Sequence, residues 1–554
     1  MASESTKKIL PDIFNALIVS SLLVLNYLHR NSYGILRPEA LALWGLVSFL
    51  LFIPLFLFRI FKVPWLLYAF LIILVTDMAS GFLQGLYVMG RNVAGSKPAG
   101  YALMSLGTLS TVFLVFVARK VIQKFFLTGA VTALIGAVFI HLFSPIPLYE
   151  LIKKPGEIGL NGKPNILFII LDEHLGLAGL SETGPQAHEL RQEISRQYAE
   201  GGFTLYEKAF SNYSSTMDSI TSILNARIYS KRRSNIKGGL LRLLMSNRLF
   251  KKLTAEGYRI HIYPSGDPYF IPAVLVQYQK CFVYRPTSAG YVQSRTLDPK
   301  EKLWLLVSHF VGSHKSQPLK KVFRYITRNR PNNENAMTGA LAVDRVLEEV
   351  KSDMSTQTSG SFFFVHLLMP HCSYVYDAEC SLLNPSSWEG TGSVQEGVAG
   401  AVDTEESRRR KYALYLGQVR CLHKKLAGLF GFMKELGIYD TSTIILTSDH
   451  GSRIFLTVPT EKNRSRLTRQ DMIDAYSAFL TIKNGGYNTA FPINQGLNVE
   501  AQTALVKVIG EFFGLLPEDN LKKEGFEKVY FQTADPSAFA AADMPDLWSG
   551  AVSS

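Results

Sequence analysis

The sequence predicts an N-terminal bundle of transmembrane helices followed by an α/β domain with a mostly parallel central sheet. The chain has 554 residues, more than one ordinary domain needs, and 47% of them are hydrophobic, which is high for a purely soluble protein. The apolar residues of the first 145 positions form long blocks. Beyond residue 163, short apolar runs alternate with longer helical patterns.

Five apolar blocks predict a transmembrane domain of five helices at residues 1–145. Each block is about as long as a helix needs to cross a hydrocarbon core of roughly 30 Å. They cover residues 11–28, 41–61, 65–88, 100–117 and 125–143. An acid is costly at membrane depth. Asp77, in the third block, is therefore expected either to make a structural hydrogen bond or to contact a lipid headgroup or substrate.

Basic residues between the blocks predict the orientation, because Lys and Arg accumulate on the cytoplasmic side of membrane helices. With the N-terminus inside, seven basic residues lie on the cytoplasmic side and four outside. The inner set is Lys7, Lys8, Arg59, Lys62, Arg119, Lys120 and Lys124, and the outer set is Arg30, Arg37, Arg91 and Lys97. The C-terminal part is therefore expected in the periplasm or outside the cell. No small-residue cleavage site follows the first block, so we expect a retained anchor.

All four cysteines, Cys281, Cys372, Cys380 and Cys421, fall in the predicted exterior part. An oxidising compartment would let them pair, and four cysteines allow three connectivities. The simplest pairing joins Cys372 to Cys380. Small buried free thiols are the alternative.

The net charge of +13 is spread over both parts of the chain. Residues beyond Glu150 carry 47 basic and 40 acidic side chains without a long basic block. This balance suits a surface over anionic lipid headgroups. It is weak evidence for nucleic acid, and we expect no nucleic-acid partner.

The pattern of apolar residues changes after a predicted linker at residues 146–163. This linker mixes Pro, Gly and Lys. Four short apolar runs follow within residues 164–554, as is typical of parallel strands covered on both faces. They are "NILFIILDE", "YRIHIYPS", "SFFFVHLLMPH" and "STIILTSDHG". Helical patterns between the runs predict βαβ units. In such sheets ligands gather at the carboxyl ends of the strands.

Acids and histidines lie at the ends of three of these runs. They are Asp172, Glu173 and His174, then His366 and His371, and finally Asp449 and His450. Each is weak by itself, because an acid after a strand is commonly a turn residue or helix cap. Together they are the side chains of which a divalent-metal site is made. Gly451 permits a tight turn beside the last pair.

Two of the runs resemble metal-binding strands of the sulfatase and alkaline-phosphatase-like enzymes. In "PNILFIILDE" an Asn begins the strand and an acid stands seven positions later, as Asn165 and Asp172 do here. "STIILTSDHG" is similar to the later metal-binding strand, with Asp449 and His450 in the ligand positions. The resemblance implies an extracytoplasmic sulfatase-like catalytic domain over residues 164–554.

The resemblance also covers the substrate-binding strand and the nucleophile. "FFFVHLLMPH" is similar to the strand whose histidines meet the substrate, which places His366 and His371 there. The nucleophile begins a helix between these strands. Sulfatases have Cys or Ser in C-x-P-S-R, whereas "SSTMDSIT" has Thr216 at that position and Ile220 in place of the Arg. This departure argues against ordinary sulfatase chemistry.

A Thr nucleophile, five spans and an exterior catalytic domain together resemble the phosphoethanolamine transferases and lipoteichoic acid synthases. This branch implies a phospho-threonine intermediate, a phospholipid donor, a glycan or lipid acceptor and a location in the bacterial inner membrane. The hydroxyls of "SSTMDSIT" have a second interpretation, as helix-capping and turn residues, and Ser214 or Ser215 could be the cap or the nucleophile.

The resemblance implies a metal site, with zinc expected and manganese or magnesium as alternatives. Its ligands would be Asp172, Glu173, Thr216, Asp449 and His450. Glu173 is either a second ligand or a solvated neighbour. His366 and His371 are expected to contact the substrate and protonate the leaving group.

The chain departs from the transferases in having no His after His450. Either an Arg, with Arg453 nearest the motif, contacts the phosphate, or the site binds one metal rather than two. His174 is expected to be structural, and Asp218 to be an acid of a first helical turn.

Two rival functions use the same residues. A phosphodiesterase or atypical sulfatase would pass the group to water. A lipid-binding or sensing homologue would have lost activity, although the retained Thr and acids argue against that. Residues beyond about Pro517 give no functional signal.

Overall fold

The protein is described from a computed structural model that covers its sequence in several stretches. The described residues are 17–28, 33–61, 66, 71–73, 98, 101–118, 131, 134–135, 149–153, 162–181, 184–230, 247–264, 280–284, 298–313, 334–383, 402–489, 491, 498–516, 525–535 and 538–544. The chain divides into two compact units, one of residues 1–148 and 287–334 and one of residues 149–286 and 335–554. The division at residue 148 lies beside the end predicted for the transmembrane domain. Residues 287–334, which we placed in the exterior domain, group with the first unit.

Four helices of the first unit are described over most of their length and are numbered here in chain order. They are α1 (Leu17–Leu28), α2 (Pro38–Ile60), α3 (Tyr101–Ala118) and α8 (Pro299–Ser313). Within the described residues, α3 is the one helix long and apolar enough to cross a membrane, and α1 and Pro38–Ile53 are shorter apolar helices. Most of the third and fifth predicted spans, Asp77 included, lies outside the described residues. The five-helix bundle therefore stays a prediction.

Helix α8 packs on the first helices of this unit. The Tyr27 hydroxyl donates to the Leu306 carbonyl at 3.3 Å, and its ring meets Phe310 edge to face with centroids 5.1 Å apart. Leu306 and Phe310 are one helical turn apart and both buried. Their spacing explains how a segment remote in sequence joins these helices.

The second unit is built on a nine-stranded sheet. Its strand order is β1-β6-β5-β7-β2-β8-β9-β3-β10, and β2 lies parallel to both β7 and β8. The strands are β1 (Tyr149–Lys153), β2 (Ile166–Leu171), β3 (Thr204–Tyr206), β5 (Arg259–Pro264), β6 (Lys280–Tyr284), β7 (Ser361–Leu367), β8 (Thr443–Thr447), β9 (Leu480–Lys483) and β10 (Asn498–Val499). The predicted mostly parallel α/β sheet is confirmed.

The central strands are apolar because both of their faces are covered. All six residues of β2, "ILFIIL", are buried, as are all of β7 and β8. Each such Ile, Leu or Phe side chain contributes on the order of 2 kcal/mol by leaving water. The helices of the unit are α4 (Leu177–Ser181), α5 (Pro185–Glu200), α6 (Thr216–Asn225), α7 (Arg248–Ala255), α9 (Glu334–Thr356), α10 (Glu405–Glu435), α11 (Arg469–Tyr476) and α12 (Leu505–Phe512).

Two predictions about this unit are wrong in part. The predicted linker contains β1, which pairs antiparallel with β6 at the edge of the sheet. Cys380 is bonded to Cys421 of α10 rather than to Cys372, because the loop after β7 packs against that helix. Cys281 and Cys372 are buried free thiols, the alternative to pairing.

The C-terminal residues form a hairpin that sequence patterns did not predict. Strands β12 (Lys528–Gln532) and β13 (Phe539–Asp543) pair antiparallel, and β4 (Ala209–Phe210) pairs with β11 (Thr503–Ala504). The Asn212 side chain donates to the carbonyls of Phe526 and Lys528 at 2.9 and 2.7 Å. The hairpin therefore holds the segment that precedes Thr216.

Candidate metal centre and nucleophile

The three predicted strand ends meet at one edge of the sheet. Ile170 of β2 lies beside His366 of β7 and Thr447 of β8. Because these strands are parallel, the residues that follow them emerge together. The expected convergence of Asp172, Asp449 and His450 is therefore found.

These three residues form a buried cluster, which we call the first cluster. Asp172, Asp449 and His450 are at most 1% exposed, and one ligand atom of each lies within 4.8 Å of the others. His450 Nε2 is 3.1 Å from Asp449 Oδ2. Thr216 Oγ1 lies 3.2 Å from the same nitrogen. The predicted nucleophile and three predicted ligands are thus adjacent.

The hydrogen bonds of His450 show that a cation fits the first cluster. Its Nδ1 lies 3.0 Å from the Gly451 carbonyl, so Nδ1 carries the proton and donates. Burial lowers the pKa of His450, although Asp449 opposes this, so the ring is neutral. The lone pair of Nε2 then faces an oxygen of Asp449. Asp172 Oδ1 and Asp449 Oδ2 accept no hydrogen bond, and two such buried oxygens beside an imidazole are suitable ligands for a divalent metal.

Asp172 is held in its ionised form. Burial would raise its pKa, but the hydrogen bond from His366 and the charge of His371 outweigh burial and lower it well below the usual range. His366 Nε2 donates to Asp172 Oδ2 at 3.0 Å and is fully buried. His366 therefore contacts the predicted ligand.

Thr216 is the first residue of α6, and its neighbours are engaged elsewhere. Ser215 precedes the helix in an extended conformation and donates to Asp218 Oδ2 at 2.5 Å. Ser219 donates to the Asp449 carbonyl, also at 2.5 Å. Asp218 is buried in the first helical turn, as expected. Thr216 is half-buried, and its hydroxyl is the one of the three that contacts a predicted ligand side chain.

Glu173, His371 and Cys372 form a second cluster, and one ligand atom of each lies within 4.8 Å of the others. Glu173 is fully buried, so the interpretation as a solvated neighbour is wrong. Its Oε1 is 3.4 Å from His371 Nε2 and 3.4 Å from Arg453 Nη1. Burial raises the pKa of Glu173, Arg453 lowers it, and Asp172 and Asp449 raise it further, for a net pKa well above the usual range.

Backbone conformation turns Glu173 and Arg453 toward each other. Both have positive φ, 64° and 60°, a region that costs non-glycine residues on the order of 1 kcal/mol or more. The N–H of Glu173 donates to Asp449 Oδ1 at 3.1 Å, and that of Arg453 to the Asp474 carbonyl at 2.8 Å. These bonds hold the predicted phosphate-binding Arg at the second cluster.

Two residues of α10 position the loops of the site, and sequence reasoning missed both. The Tyr415 hydroxyl donates to the Glu173 carbonyl at 3.0 Å and accepts from the Leu175 N–H at 2.8 Å. Gln418 is buried, accepts from the Val375 N–H at 2.8 Å and donates to the His371 carbonyl at 3.1 Å. Two polar residues three apart on the buried face of this helix are the available signal.

His174 lies in a separate hydrogen-bonded chain, as expected of a structural residue. Its Nδ1 donates to the Leu175 carbonyl, and its Nε2 accepts from His423 Nε2 at 2.8 Å. His423 Nδ1 in turn accepts from the Tyr198 hydroxyl at 2.8 Å. Burial lowers the pKa of His174 to about 4 and that of His423 well below its usual value. Each ring nitrogen in this chain has a matched partner.

Among the comparisons with known proteins, the one with solved structures found matches. No family model matches the chain, and a search of curated proteins found no match. The similar solved structures include a phosphonate monoester hydrolase of Agrobacterium radiobacter, at 13% identity and TM-score 0.40. The match covers 67% of this chain and 80% of the hydrolase chain.

Two further similar structures are of a periplasmic domain and of an integral membrane protein. The periplasmic domain of EptC from Escherichia coli is 11% identical, with TM-score 0.39 and coverage of 73% and 98% of the two chains. The integral membrane lipooligosaccharide phosphoethanolamine transferase A from Neisseria meningitidis is 12% identical, with TM-score 0.35 and coverage of 92% and 94%. Because each of these three TM-scores is below 0.5, function is argued below from the side chains alone.

Proposed function

We propose that the protein is a metal-dependent phosphotransferase anchored in the bacterial inner membrane. Its reaction moves a phospholipid headgroup, phosphoethanolamine or phosphoglycerol, to a hydroxyl of an envelope glycan or lipid. One observation carries this proposal. The Thr216 hydroxyl begins α6 at 3.2 Å from His450 Nε2, beside a buried cluster with two carboxylate oxygens that accept no hydrogen bond.

Asp172, Asp449 and His450, with Thr216 Oγ1, are the groups that we assign to a divalent ion. A bound ion would favour the deprotonated form of the threonine hydroxyl and would neutralise charge on the phosphoryl group. Mixed carboxylate and imidazole ligands favour zinc, with manganese and magnesium as alternatives.

Thr216 Oγ1, deprotonated, attacks the phosphorus of the lipid phosphodiester. The bond from phosphorus to the diacylglycerol oxygen breaks, and the headgroup remains on Thr216. His371 gives the leaving oxygen its proton, since its side chain is 16% exposed while His366 is buried. The acceptor hydroxyl then attacks the same phosphorus, returns a proton to His371 and releases Thr216.

The surface of the first unit supports anchoring. The exposed large hydrophobic side chains among the described residues all lie between Leu36 and Ile135. Leu36 is 84% exposed and Phe61 69%. A concentration of this kind marks a surface that contacts lipid or protein. An enzyme anchored there meets a lipid donor in two dimensions, which raises the rate of encounter.

Intact-protein mass spectrometry after incubation with phospholipid tests the nucleophile. The wild-type chain should gain the mass of one headgroup, and Thr216→Ala should gain none. Ser215→Ala, a neighbouring half-buried hydroxyl, is the matched control and should react like the wild type. An equal adduct in Thr216→Ala would show that the assignment is wrong.

A hydrolase is the second candidate, because water can replace the acceptor at the same phosphorus. Tracing the released headgroup separates the two functions. Headgroup on the glycan or lipid supports transfer, and free headgroup supports hydrolysis. Absence of any adduct or release would favour the inactive homologue.

A further inference from the structure

The proposed nucleophile and two of the proposed ligands lie on different elements of the fold. Thr216 is the first residue of α6, whereas Asp449 and His450 follow β8. The distance of 3.2 Å between Thr216 Oγ1 and His450 Nε2 therefore depends on how α6 packs against the loop after β8. The reaction rate is sensitive to this distance, since a misplacement of about 1 Å can cost about a hundredfold.

Ser219 connects these two elements directly. It lies one helical turn after Thr216, so both side chains are on the same face of α6. The Ser219 hydroxyl donates to the backbone carbonyl of Asp449 at 2.5 Å. The helix thus contacts two consecutive residues of the loop, with Thr216 beside His450 and Ser219 beside Asp449.

The contact of Ser219 differs from the one that a polar side chain inside a helix can make locally. Such a side chain can bond to the carbonyl four residues earlier in its own helix. In α6, Asn225 bonds to the Thr221 carbonyl in this way. Ser219 instead bonds to a carbonyl 230 positions away, and it is 1% exposed. A buried hydroxyl with such a partner fixes its helix against another element.

The direction of the hydrogen bonds shows that Ser219 is itself supported. A carbonyl can only accept, so the Ser219 proton lies toward Asp449, and Ser211 donates the 2.8 Å bond between the two serine hydroxyls. Ser211 shares this proton with the Tyr213 carbonyl at 2.9 Å. The N–H of Ser211 donates to the Tyr476 carbonyl at the end of α11, at 2.8 Å. Ser211 therefore supports Ser219 from the segment that leads into α6.

We infer that Ser219 is a positioning residue, whose hydroxyl binds the backbone of Asp449 and thereby sets the distance of Thr216 Oγ1 from the first cluster. This inference rests on the proposed function. The side chain of Asp449 is held independently, because the N–H of Glu173 donates to its Oδ1 at 3.1 Å. Loss of the Ser219 hydroxyl therefore moves the nucleophile relative to the ligands and leaves the ligands in place.

The rate at which full-length protein in detergent gains the headgroup adduct, followed by intact-protein mass spectrometry, tests this inference. At saturating phospholipid, Ser219→Ala should lower the rate by about 10- to 100-fold. The half-saturating lipid concentration should not change, because the residues proposed to contact the lipid are unaltered. Ser222→Ala removes another buried hydroxyl of α6, one turn further on, and should keep the wild-type rate.

Two kinetic results would overturn the inference. One is an equal rate in the wild type and Ser219→Ala. The other is an equal loss of rate in Ser219→Ala and Ser222→Ala when urea unfolding shows that both are equally destabilised, which would give Ser219 a structural role alone.

A second measurement needs no reaction. In Thr216→Cys, a cobalt ion in the first cluster should give a near-ultraviolet thiolate-to-cobalt absorption band, measured as the difference from the cobalt spectrum of Thr216→Ala. Adding Ser219→Ala should weaken this band, and adding Ser222→Ala should not. An unchanged band would overturn the inference, as would the absence of a band in Thr216→Cys, since residue 216 would then not be held at the cluster.

The two measurements separate this inference from the proposed function. A wild-type adduct that forms at the same rate in Ser219→Ala would leave the proposed function standing and reject the role of Ser219. A cobalt band that depends on Ser219, without any adduct in the wild type, would do the reverse.

Discussion

Three histidines share the same local geometry but differ in the group that their Nε2 atom faces. Two of them, His371 and His450, lie in the candidate site, and the third, His174, lies in the core. All three donate Nδ1–H to the carbonyl of the next residue. The Nε2 atoms of His371 and His450 face carboxylate oxygens, whereas that of His174 accepts a hydrogen bond from His423. The tautomer is thus equal in the three, and the partner of Nε2 decides whether the ring serves the candidate site or the hydrogen-bonded core.

The largest effect that tests this comparison is expected from the first cluster. Asp449→Asn removes a ligand and should lower headgroup transfer by at least about a thousandfold, since a misassembled metal site loses nucleophile activation. Zinc content should fall by one ion per chain. Asp440→Asn, at an exposed acid in the same unit, should keep activity and metal content. Equal activity of the two variants would contradict the ligand assignment.

A smaller effect is expected from the residue that supports the second cluster. Gln418→Leu leaves the Val375 N–H and the His371 carbonyl without their partner and releases the loop that carries His371. Loss of such a supporting contact typically costs 10- to 100-fold in metal affinity or activity. A headgroup-transfer assay measures the effect. Transfer should fall by a factor in that range, because Gln418 holds the loop of the proposed proton donor, and unchanged transfer would contradict a positioning role.

The histidines of the core should affect stability without affecting metal. His423→Leu removes the donor to His174 Nε2 and the acceptor of the Tyr198 hydroxyl, which should cost about 1–3 kcal/mol. Tyr198→Phe removes one bond and should cost less. Urea unfolding gives the stabilities, and elemental analysis should find unchanged zinc. A loss of zinc in His423→Leu would mean that this chain also supports the metal site.

The smallest effect is a slope of stability with pH at Asp474. Burial raises its pKa to about 7, although Tyr412, Arg408 and Ser452 lower it. Between the ordinary value of 3.8 and about 7, the folded protein keeps a proton that the unfolded chain has lost. This group's contribution to stability therefore falls as pH rises through that window, by up to about 1.4 kcal/mol per pH unit.

Asp474→Asn removes this titration, and Asn can still accept from the Ser452 hydroxyl. The difference in unfolding free energy, wild type minus variant, should fall steadily from pH 5 to 7 and level off above that. The difference isolates Asp474 from the other titrating groups. A constant difference would show that Asp474 does not titrate in this range.

The sequence predicted the parts of this site that depend on local patterns. The runs before Asp172 and Asp449 are apolar because β2 and β8 are buried, and parallel strands bring their ends to one edge. What could not be predicted depends on contacts between distant segments. Cys372 lies beside Glu173 because Gln418 of α10 holds the loop that carries Cys372. Cys421 reaches Cys380 because the same helix packs there, and no spacing in the sequence records either contact.

The C-terminal hairpin has a consequence for the order in which the protein folds. Asn212 donates to carbonyls 314 and 316 positions further along the chain. Contacts of such high sequence separation pay a large loop-closure entropy and form late. The segment that leads into Thr216 consequently lacks these partners until nearly all of the described chain has been synthesised. A nascent chain can complete its central strands while its nucleophile is not yet in place.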